Sequence, residues 1–372
     1  MAEATASKAA ISTTTQATLP QQVNSLKKSW CESKGLSLLL GFTLLFLVVA
    51  CGPQTEEGYF KGDAMGTFYT IEFRSEEKVS GRNLRGEIED LLDDFEQQLS
   101  NWRKDSWVNL FNAAPAGEFI PVPDYAFQVL NLCQELFERS GGLLDPTVSP
   151  LIELWGFGTQ SGVTVPGQAA IDEALKRIGF DKLVLSPDRP AVMKRQADLQ
   201  INCSAVAKGY AVDLISGLLQ NRGLENFIIN LGGEIAARGS RMDGDLWTVG
   251  VNRPDAKGRK KDLARVFELN NRSLATSGHS QRTFISGGQR YSHILNAKTG
   301  RPVKADIADA TVLASSCALA DGLATLALIL DEDRMAQLLE FYDGAEVFRT
   351  EWATENLALN DEYPKPFTHQ NP

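Results

Sequence analysis

The chain has 372 residues, of which 43% are hydrophobic and 23% charged, and this composition predicts a packed core and excludes wholesale disorder. Its formal net charge is −10, which argues against nucleic acid as a partner. The five cysteines show no CxxC or CxxH spacing, so neither a zinc site nor a disulfide framework is expected.

An apolar segment near the N-terminus predicts export. Residues 36–50, LSLLLGFTLLFLVVA, carry no charge and end at Cys51. A run this short suits the apolar part of a signal peptide. Its last residues with Cys51 resemble a bacterial lipobox, which implies lipidation of Cys51. We therefore expect a lipoprotein signal peptide over 1–50 and a lipidated tether over 51–57; an uncleaved anchor helix is the alternative.

The following elements alternate irregularly between strands and helices. GTFYTIEFR (66–74) alternates as a strand does, and an apolar stripe from Leu84 to Leu99 predicts an amphipathic helix. Asp124 is placed to cap a second helix, which Gly141 and Gly142 end. Later elements are predicted as a helix over 168–178, strands over 182–185 and 191–201, a helix ended by Gly223, a hairpin over 226–239 turning at Gly232–Gly233, strands near 246–251, 264–269 and 290–295, a helix over 318–331 and a strand over 345–350. This order favours an α+β fold.

Few residues are available as a general base. The sequence has no GxxxxGK[ST], GxGxxG, HExxH or GxSxG motif. Of the three histidines, His369 lies near the C-terminus, which leaves His279 and His293. His293 shares a strand face with its neighbours, so a structural role is equally consistent with the pattern. His279 has neighbouring serines, and a Ser–His hydrolase is therefore an alternative.

The apolar helix ALADGLATLALILD (318–331) carries two polar residues on one face. Asp321 and Thr325 lie one turn apart, so their side chains stack. Two hard oxygens suit Mg²⁺, which takes carboxylates, waters and substrate phosphates. In the alternative, Asp321 accepts from a backbone amide and Thr325 donates to the carbonyl of residue 321. The two residues alone leave both possibilities open.

Eight stretches resemble, in the same order, the FAD:protein FMN transferases, the ApbE-type lipoproteins. The resemblance covers roughly residues 58–350, which are therefore predicted as the catalytic domain, with 351–372 as a C-terminal tail. It implies an ApbE-like fold with mixed, largely antiparallel sheets, packed helices and FAD in a cleft. The stretches are AMGTFY (64–69), LSNWRKDSWVNLFN (99–112), SGGLLDPTVSPLIELWGFG (140–158), SAVAKGYAVD (204–213), INLGGEI (229–235), ATSGHSQRTF (275–284), YSHILNAKTGRPV (291–303) and ADGLATLALIL (320–330).

The resemblance also implies a reaction, in which FMN passes from FAD to a threonine hydroxyl of another protein and AMP is released. Such phosphoryl transfer needs positioning and charge neutralisation, which Mg²⁺ supplies. By matching to the family, Asp321, Thr325 and the backbone carbonyl of Ala205 hold the metal. His293 acts as the base, and Lys208 contacts FAD. An FAD pyrophosphatase and a lipid-tethered flavin-binding protein without catalysis are the alternatives.

Further matched positions line the flavin cofactor site. One of them, Asn202, stands where the family usually has aspartate, so a negative charge is lost beside the site. The acceptor protein is expected to carry a Ser/Gly-Ala-Thr motif, as in redox-complex subunits, and to share the periplasmic face of the bacterial envelope with the lipid-anchored enzyme. The cofactor-site residues are Met65, Trp102, Leu143, Leu144, Asp145, Asn202, Lys208 and His293.

Overall fold

The computed structural model describes residues 56–76, 79–158, 165–255, 260–279 and 283–353. These residues belong to one compact unit, Gln54–Pro372. The expected signal peptide, Cys51, most of the tether and nearly all of the C-terminal tail lie outside the described residues. No helix of the described part is long and apolar enough to cross a membrane.

The described elements mix helices and strands irregularly, with an unbroken run of strands from β6 to β15. In chain order they are β1 (Glu56–Ala64), β2 (Thr67–Ser75), α1 (Gly81–Leu99), α2 (Trp107–Ala113), β3 (Ile120–Pro121), α3 (Asp124–Arg139), α4 (Ser149–Leu154), α5 (Gln168–Lys176), a 3-10 turn (Phe180–Lys182), β4 (Leu183–Leu185), β5 (Ala191–Lys194), α6 (Ser204–Asn221), β6 (Asn226–Leu231), β7 (Glu234–Arg238), β8 (Trp247–Pro254), β9 (Lys260–Leu269), β10 (Ser273–Gly278), β11 (Thr283–Ser286), β12 (Gln289–Ser292), β13 (Leu295–Asn296), β14 (Arg301–Pro302), β15 (Asp309–Ala314), α7 (Cys317–Ile329), α8 (Glu332–Leu339) and β16 (Glu346–Thr350).

A seven-stranded sheet in the order β1-β2-β6-β7-β10-β15-β16 forms the centre of the unit. Each of its neighbouring pairs is antiparallel, which confirms the expected α+β class with largely antiparallel sheets. The predicted hairpin turn at Gly232–Gly233 is confirmed too, with φ values of 66° and 114°. Both glycines supply the positive φ that a tight two-residue hairpin turn needs.

Each face of this sheet is covered by a different kind of element. On one face, alternate residues of β2 and β6, such as Ile71 and Ile229, pack into the main hydrophobic core with α1, α3, α6 and α7. The predicted stripe of α1 is buried there at Leu84 and Leu99. On the other face, the β8–β9 ribbon contributes Trp247 to a separate apolar cluster. Alternation along a strand therefore feeds two different cores.

Two local expectations were wrong. The predicted strand 191–201 ends at Lys194 as β5, because residues 195–198 turn and the Leu199 amide donates to the Gln196 carbonyl at 3.2 Å. Asp124 does not cap α3; it is the first helical residue, and the cap is Pro123, without a side-chain hydrogen bond. Asp124 still favours this end of the helix through its charge.

Helices α6 and α7 approach each other very closely at Gly209. A Cβ atom built on Gly209 would lie 2.3 Å from the carbonyl oxygen of Cys317, a distance that real Cβ contacts do not show. The carboxylate of Asp213 also accepts from the amides of Cys317 and Ala318, each at 2.8 Å, at the start of α7. The N-terminus of α7 is therefore fixed against α6.

We expect Gly209→Ala to lower the free energy of unfolding by about 2 kcal/mol or more, because the added methyl group collides with backbone rather than with a flexible side chain. Gly217→Ala, in the same helix with open space around it, is the matched control and is expected to raise stability by roughly 0.5–1 kcal/mol. Urea unfolding of both variants measures this difference, and equal effects would contradict the close contact.

Candidate active site

A group of three charged side chains, of which the two carboxylates are buried, lies where α6, α7 and β7 meet. Asp321, on α7, is only 3% exposed, and its Oδ2 accepts from the amide of Gly209 at 3.1 Å. Lys208, on α6, forms an ion pair with Glu234, the first residue of β7. Glu234 is also buried, and its Oε2 has no hydrogen-bond partner among the described residues. Two buried carboxylates thus share one ammonium group, whose side chain is partly exposed.

Burial and charge shift the protonation of this group. Burial raises the pKa of Asp321 to about 7, Lys208 opposes the shift, and Glu234 adds to it. Burial alone would lower the pKa of Lys208, but the carboxylates of Asp321 and Glu234 outweigh it and hold that pKa above its ordinary value. Lys208 therefore stays charged at neutral pH, while Asp321 is poised between its two forms.

The oxygens expected to bind metal lie beside this group. In the helix, the amide of residue 209 faces the carbonyl of Ala205 one turn earlier, so this carbonyl and Asp321 flank the same amide. Thr325 lies one turn beyond Asp321 on α7, and its Oγ1 is 3.2 Å from Ser277 Oγ. No cluster of three or more His, Cys, Asp or Glu side chains suited to metal occurs within the described residues.

This donor set fits Mg²⁺. The ion prefers hard oxygens and takes only one or two carboxylates from the protein. Asp321, Thr325 and the Ala205 carbonyl supply such oxygens, and the unpartnered oxygen of Glu234 adds negative charge nearby. The alternative to a metal site was that both side chains bond to the backbone. Asp321 does accept from a backbone amide, that of Gly209, whereas the hydroxyl of Thr325 contacts the hydroxyl of Ser277.

The loop before α4 meets the segment before α6. The backbone amide of Asn202 donates to the Pro146 carbonyl at 2.6 Å. In the side chain, Oδ1 of Asn202 accepts from the backbone amide of Ser204 at 3.0 Å. Asp145 accepts from the Thr147 amide at 2.8 Å, and burial raises its pKa. The asparagine thus keeps the local hydrogen bond that an aspartate would make, without its charge.

The remaining expected cofactor residues differ in exposure. Leu143 and Leu144 are buried in the main core, so their side chains serve packing. Trp102 is 59% exposed at the turn after α1. Met65 lies in the turn between β1 and β2, where it helps to line a cavity of about 560 Å³.

His293 lies against a second hydrophobic cluster, which is separate from the main core. Its ring meets Phe157 edge-on with 6.4 Å between centroids. Phe157 in turn packs on Phe284, which stacks on Tyr291 at 5.0 Å. The Trp155 ring stacks on Tyr291 at 5.6 Å. Aromatic packing therefore fixes the end of β12. The strand expected near 290–295 is wrong in one respect, because it is interrupted at His293 and Ile294, so His293 lies in a bend between β12 and β13 and not on a strand face.

His279 and Ser292 form a buried pair beside His293. Both are 0% exposed, and His279 Nδ1 lies 2.6 Å from Ser292 Oγ. Burial, together with the charges of the neighbouring His293 and Arg290, lowers the pKa of His279 to about 4. A serine sealed from solvent cannot meet a substrate, so this geometry disfavours the Ser–His hydrolase reading.

Two contacts connect the His293 region with the rest of the site. Ser277, whose hydroxyl contacts that of Thr325, lies near the end of β10, and His279 follows directly after this strand. The side chain of Lys298, in the turn after His293, lies against Gly142, which precedes the Leu143 loop. These contacts connect the segments around His279 and His293 with Thr325, an expected metal ligand, and with the loop of the expected cofactor residues.

The turn after α1 and the turn of the first hairpin each join the site through one further contact. Asn101 Nδ2, beside Trp102, donates to the Ile201 carbonyl at 2.9 Å, one residue before Asn202. The Gly232 amide donates to the Phe68 carbonyl at 3.0 Å, so the β1–β2 and β6–β7 turns are adjacent.

Sequence reasoning missed Glu234, Asp213 and Glu96. Glu234 stands inside the quoted INLGGEI stretch, directly after the predicted turn, and that position was the available signal. Asp213 ends the SAVAKGYAVD stretch, but the amides it accepts from lie 104 and 105 residues away. No local pattern distinguishes Glu96 from the other acidic residues of α1.

Comparison with known proteins identifies the family. The sequence model of the ApbE family matches residues 65–348. This chain belongs to the ApbE family. The FAD:protein FMN transferase of Vibrio cholerae serotype O1 is 32% identical over 298 residues, which cover 80% of this chain and 88% of the relative. That of Escherichia coli K12 is 28% identical, covering 81% and 88%.

Solved ApbE structures agree with the fold. The flavin transferase ApbE from Vibrio cholerae has a TM-score of 0.71 at 30% identity, over 79% of this chain and 93% of that one. The apo Pseudomonas stutzeri flavinyl transferase ApbE has a TM-score of 0.71 at 33% identity, over 79% and 91%. The sequence resemblance and the expected ApbE-like architecture are therefore confirmed.

The buried His279 makes stability depend on pH. Its pKa is about 4 in the folded chain and about 6.5 when unfolded, so only the unfolded chain gains the proton between these values. The contribution of His279 to stability is therefore full above about pH 6.5 and falls below it, by at most about 2 kcal/mol at pH 5. Urea unfolding at about pH 7 and pH 5 should show a smaller loss in His279→Asn than in the wild type. Equal losses would contradict a buried, neutral histidine.

Proposed function

We infer that this chain is an FAD:protein FMN transferase. In the reaction, a threonine hydroxyl oxygen of the acceptor forms a bond to the FMN phosphorus of FAD, and the diphosphate P–O bond breaks. The proton of the hydroxyl passes to a base, and the leaving oxygen departs with AMP. Atoms and charge balance without an oxidant or reductant.

The observation that carries this proposal is the group of Lys208, Asp321 and Glu234, in which two buried carboxylates hold a partly exposed ammonium group. A diphosphate is strongly anionic, and its transfer needs fixed positive charge in a site from which water is excluded. Lys208 keeps its charge there, because Asp321 and Glu234 raise its pKa. The names of the relatives over four-fifths of the chain support the same reaction.

Mg²⁺ is part of the proposal, because the donor oxygens fit it. Asp321, Thr325 and the carbonyl of Ala205 would hold the ion. When bound, it neutralises charge on the diphosphate oxygens. Asp321 must release its proton to bind, so metal affinity should rise as pH increases through about 7.

The protein's own residues would position FAD and move the proton. Lys208 would meet the diphosphate, with Glu234 fixing its ammonium group. His293 would take the proton of the incoming hydroxyl, held in place by the aromatic contact to Phe157. Asn202 would contact the cofactor through an uncharged amide, at the junction with the Leu143–Asp145 loop.

We further propose the setting of this reaction. The acceptor carries a Ser/Gly-Ala-Thr motif, and the enzyme faces the periplasm, tethered to a membrane through lipidated Cys51. The acidic overall balance leaves nucleic acid out of the partner set.

The deciding experiment mixes the full chain with FAD, Mg²⁺ and a domain that carries a Ser-Gly-Ala-Thr motif, and follows both AMP release and acceptor mass. We expect the acceptor to gain FMN. Asp321→Asn should reduce the rate by at least about a hundredfold, because a buried ligand charge is lost. Asp333→Asn, at an exposed position of α8, is the control and should keep wild-type activity.

Each product pattern has one meaning. AMP with free FMN and an unmodified acceptor would indicate a pyrophosphatase. FAD binding without AMP would indicate a binding protein and would refute the transferase.

Thr325 offers a finer test of the metal site. Thr325→Ser keeps the hydroxyl, whereas Thr325→Val has the same shape without it. We expect the valine variant to need about tenfold more Mg²⁺ for half-maximal activity, and the serine variant to resemble the wild type. Equal Mg²⁺ requirements for the two variants would remove Thr325 from the ligand set.

A further inference from the structure

The turn between β1 and β2 has a backbone conformation that its sequence does not favour. Met65 and Gly66 form a two-residue turn, since Ala64 pairs with Thr67, and their φ values are 52° and 72°. Such turns favour Asn or Gly at both positions. Among the described residues, only Met65 and Asn271 have positive φ without being glycine. A methionine here needs a stabilising contact.

The adjacent hairpin shows what the sequence would ordinarily supply. The β6–β7 turn is built from Gly232 and Gly233, which take positive φ without strain. The two turns are neighbours, because the Gly232 amide donates to the Phe68 carbonyl. The two turns lie at the same end of the same sheet. The Gly232–Gly233 turn adopts positive φ without strain, whereas the Met65–Gly66 turn needs a stabilising contact.

Glu96 supplies the contact that holds Met65. Its Oε1 accepts from the Met65 amide at 2.5 Å, across 31 residues of sequence. A carboxylate that accepts from a backbone amide makes a strong, charge-assisted hydrogen bond. Glu96 lies near the C-terminal end of α1, beside the buried stripe formed by Leu92 and Leu99, and its side chain is 23% exposed.

The same carboxylate also reaches the turn that carries Trp102. Its Oε2 lies 3.9 Å from Nε of Arg103, whose Nη1 donates to the Asp93 carbonyl at 3.0 Å. One side chain thus contacts both turns that carry the expected ring-binding residues Met65 and Trp102. Glu96 further lines the cavity of about 560 Å³ together with residues 63–68.

We propose that Glu96 is a positioning residue of the flavin site, which fixes the Met65 turn and the Trp102 turn as the wall that receives the planar ring of FAD. This inference rests on the proposed function, because FAD is taken as the ligand of the cavity. Glu96 acts through Met65 and Arg103. It preorganises an apolar and aromatic surface before FAD arrives.

The test measures the dissociation constant of FAD for the full chain by flavin fluorescence, without Mg²⁺ or acceptor. Glu96→Ala should weaken binding about tenfold, which corresponds to one lost charge-assisted hydrogen bond. Glu96→Gln keeps an acceptor for the Met65 amide and should stay within about threefold of the wild type. Asp94→Ala, on the same helix and bonded only to Gln98 in the described structure, is the matched control and should bind normally.

A double-mutant cycle separates positioning from general packing. Met65→Gly takes positive φ without help, so Glu96→Ala should weaken FAD binding much less in that background than alone. The thermal midpoints should show the same non-additivity, which keeps the test decisive if Glu96→Ala folds poorly. Unchanged FAD binding in Glu96→Ala, or additive effects in the cycle, would overturn the proposal.

Failure of the proposed function gives a different result. Wild-type protein that binds FAD with the expected Glu96 dependence but releases no AMP would refute the transferase and keep the positioning role. Wild-type protein that binds no FAD would overturn both.

Discussion

The close contact between α6 and α7 at Gly209 is the constraint on which the site depends. Because residue 209 has no side chain, the α7 backbone can approach α6 until the Gly209 amide reaches the carboxylate of Asp321. Asp213, one turn later, accepts from the amides at the start of α7 and prevents sliding along α6. Two helices of the main core therefore hold Lys208 and Asp321 in a fixed relation, and no loop needs to order before the charges meet.

That fixed relation has an electrostatic consequence. Asp321 and Glu234 are both buried, and the single ammonium group of Lys208 cannot neutralise two carboxylates. The chain accommodates the excess by raising the pKa of Asp321 to about 7 and by leaving one oxygen of Glu234 without a hydrogen bond. A fold selected for stability alone would not retain this arrangement. A divalent cation would neutralise the excess carboxylate charge, and an anionic ligand could pair with Lys208. We therefore interpret the group as a binding site.

The sequence predicted those elements whose pattern is local. Alternation in β2 and the apolar stripe of α1 were sufficient, because each of these elements buries one side only. β15, Asp309–Ala314, escaped prediction because it is central and buried throughout, so it shows no alternation. β1 escaped because it is a largely exposed edge strand. Asp321 and Thr325 were found through their spacing within one helix, whereas Glu96 and Glu234 act on partners 31 and 26 residues away, which no local pattern records.

Antiparallel pairing explains how separate segments reach one site. The turns at Met65 and Gly232 and the exit of β10 at Ser277 fall at the same end of the sheet, because the strand registers place them there. The charged group and the Met65 turn thus share one rigid frame. His293 lies between the two apolar clusters: its ring meets Phe157 of the second cluster, whereas the next residue, Ile294, is buried in the main core. The contacts of Ser277 with Thr325 and of Lys298 with Gly142 tie this region to α7 and to the loop before α4. The position of His293 therefore depends on the packing of both clusters, whereas Lys208 and Asp321 are placed by the main core alone.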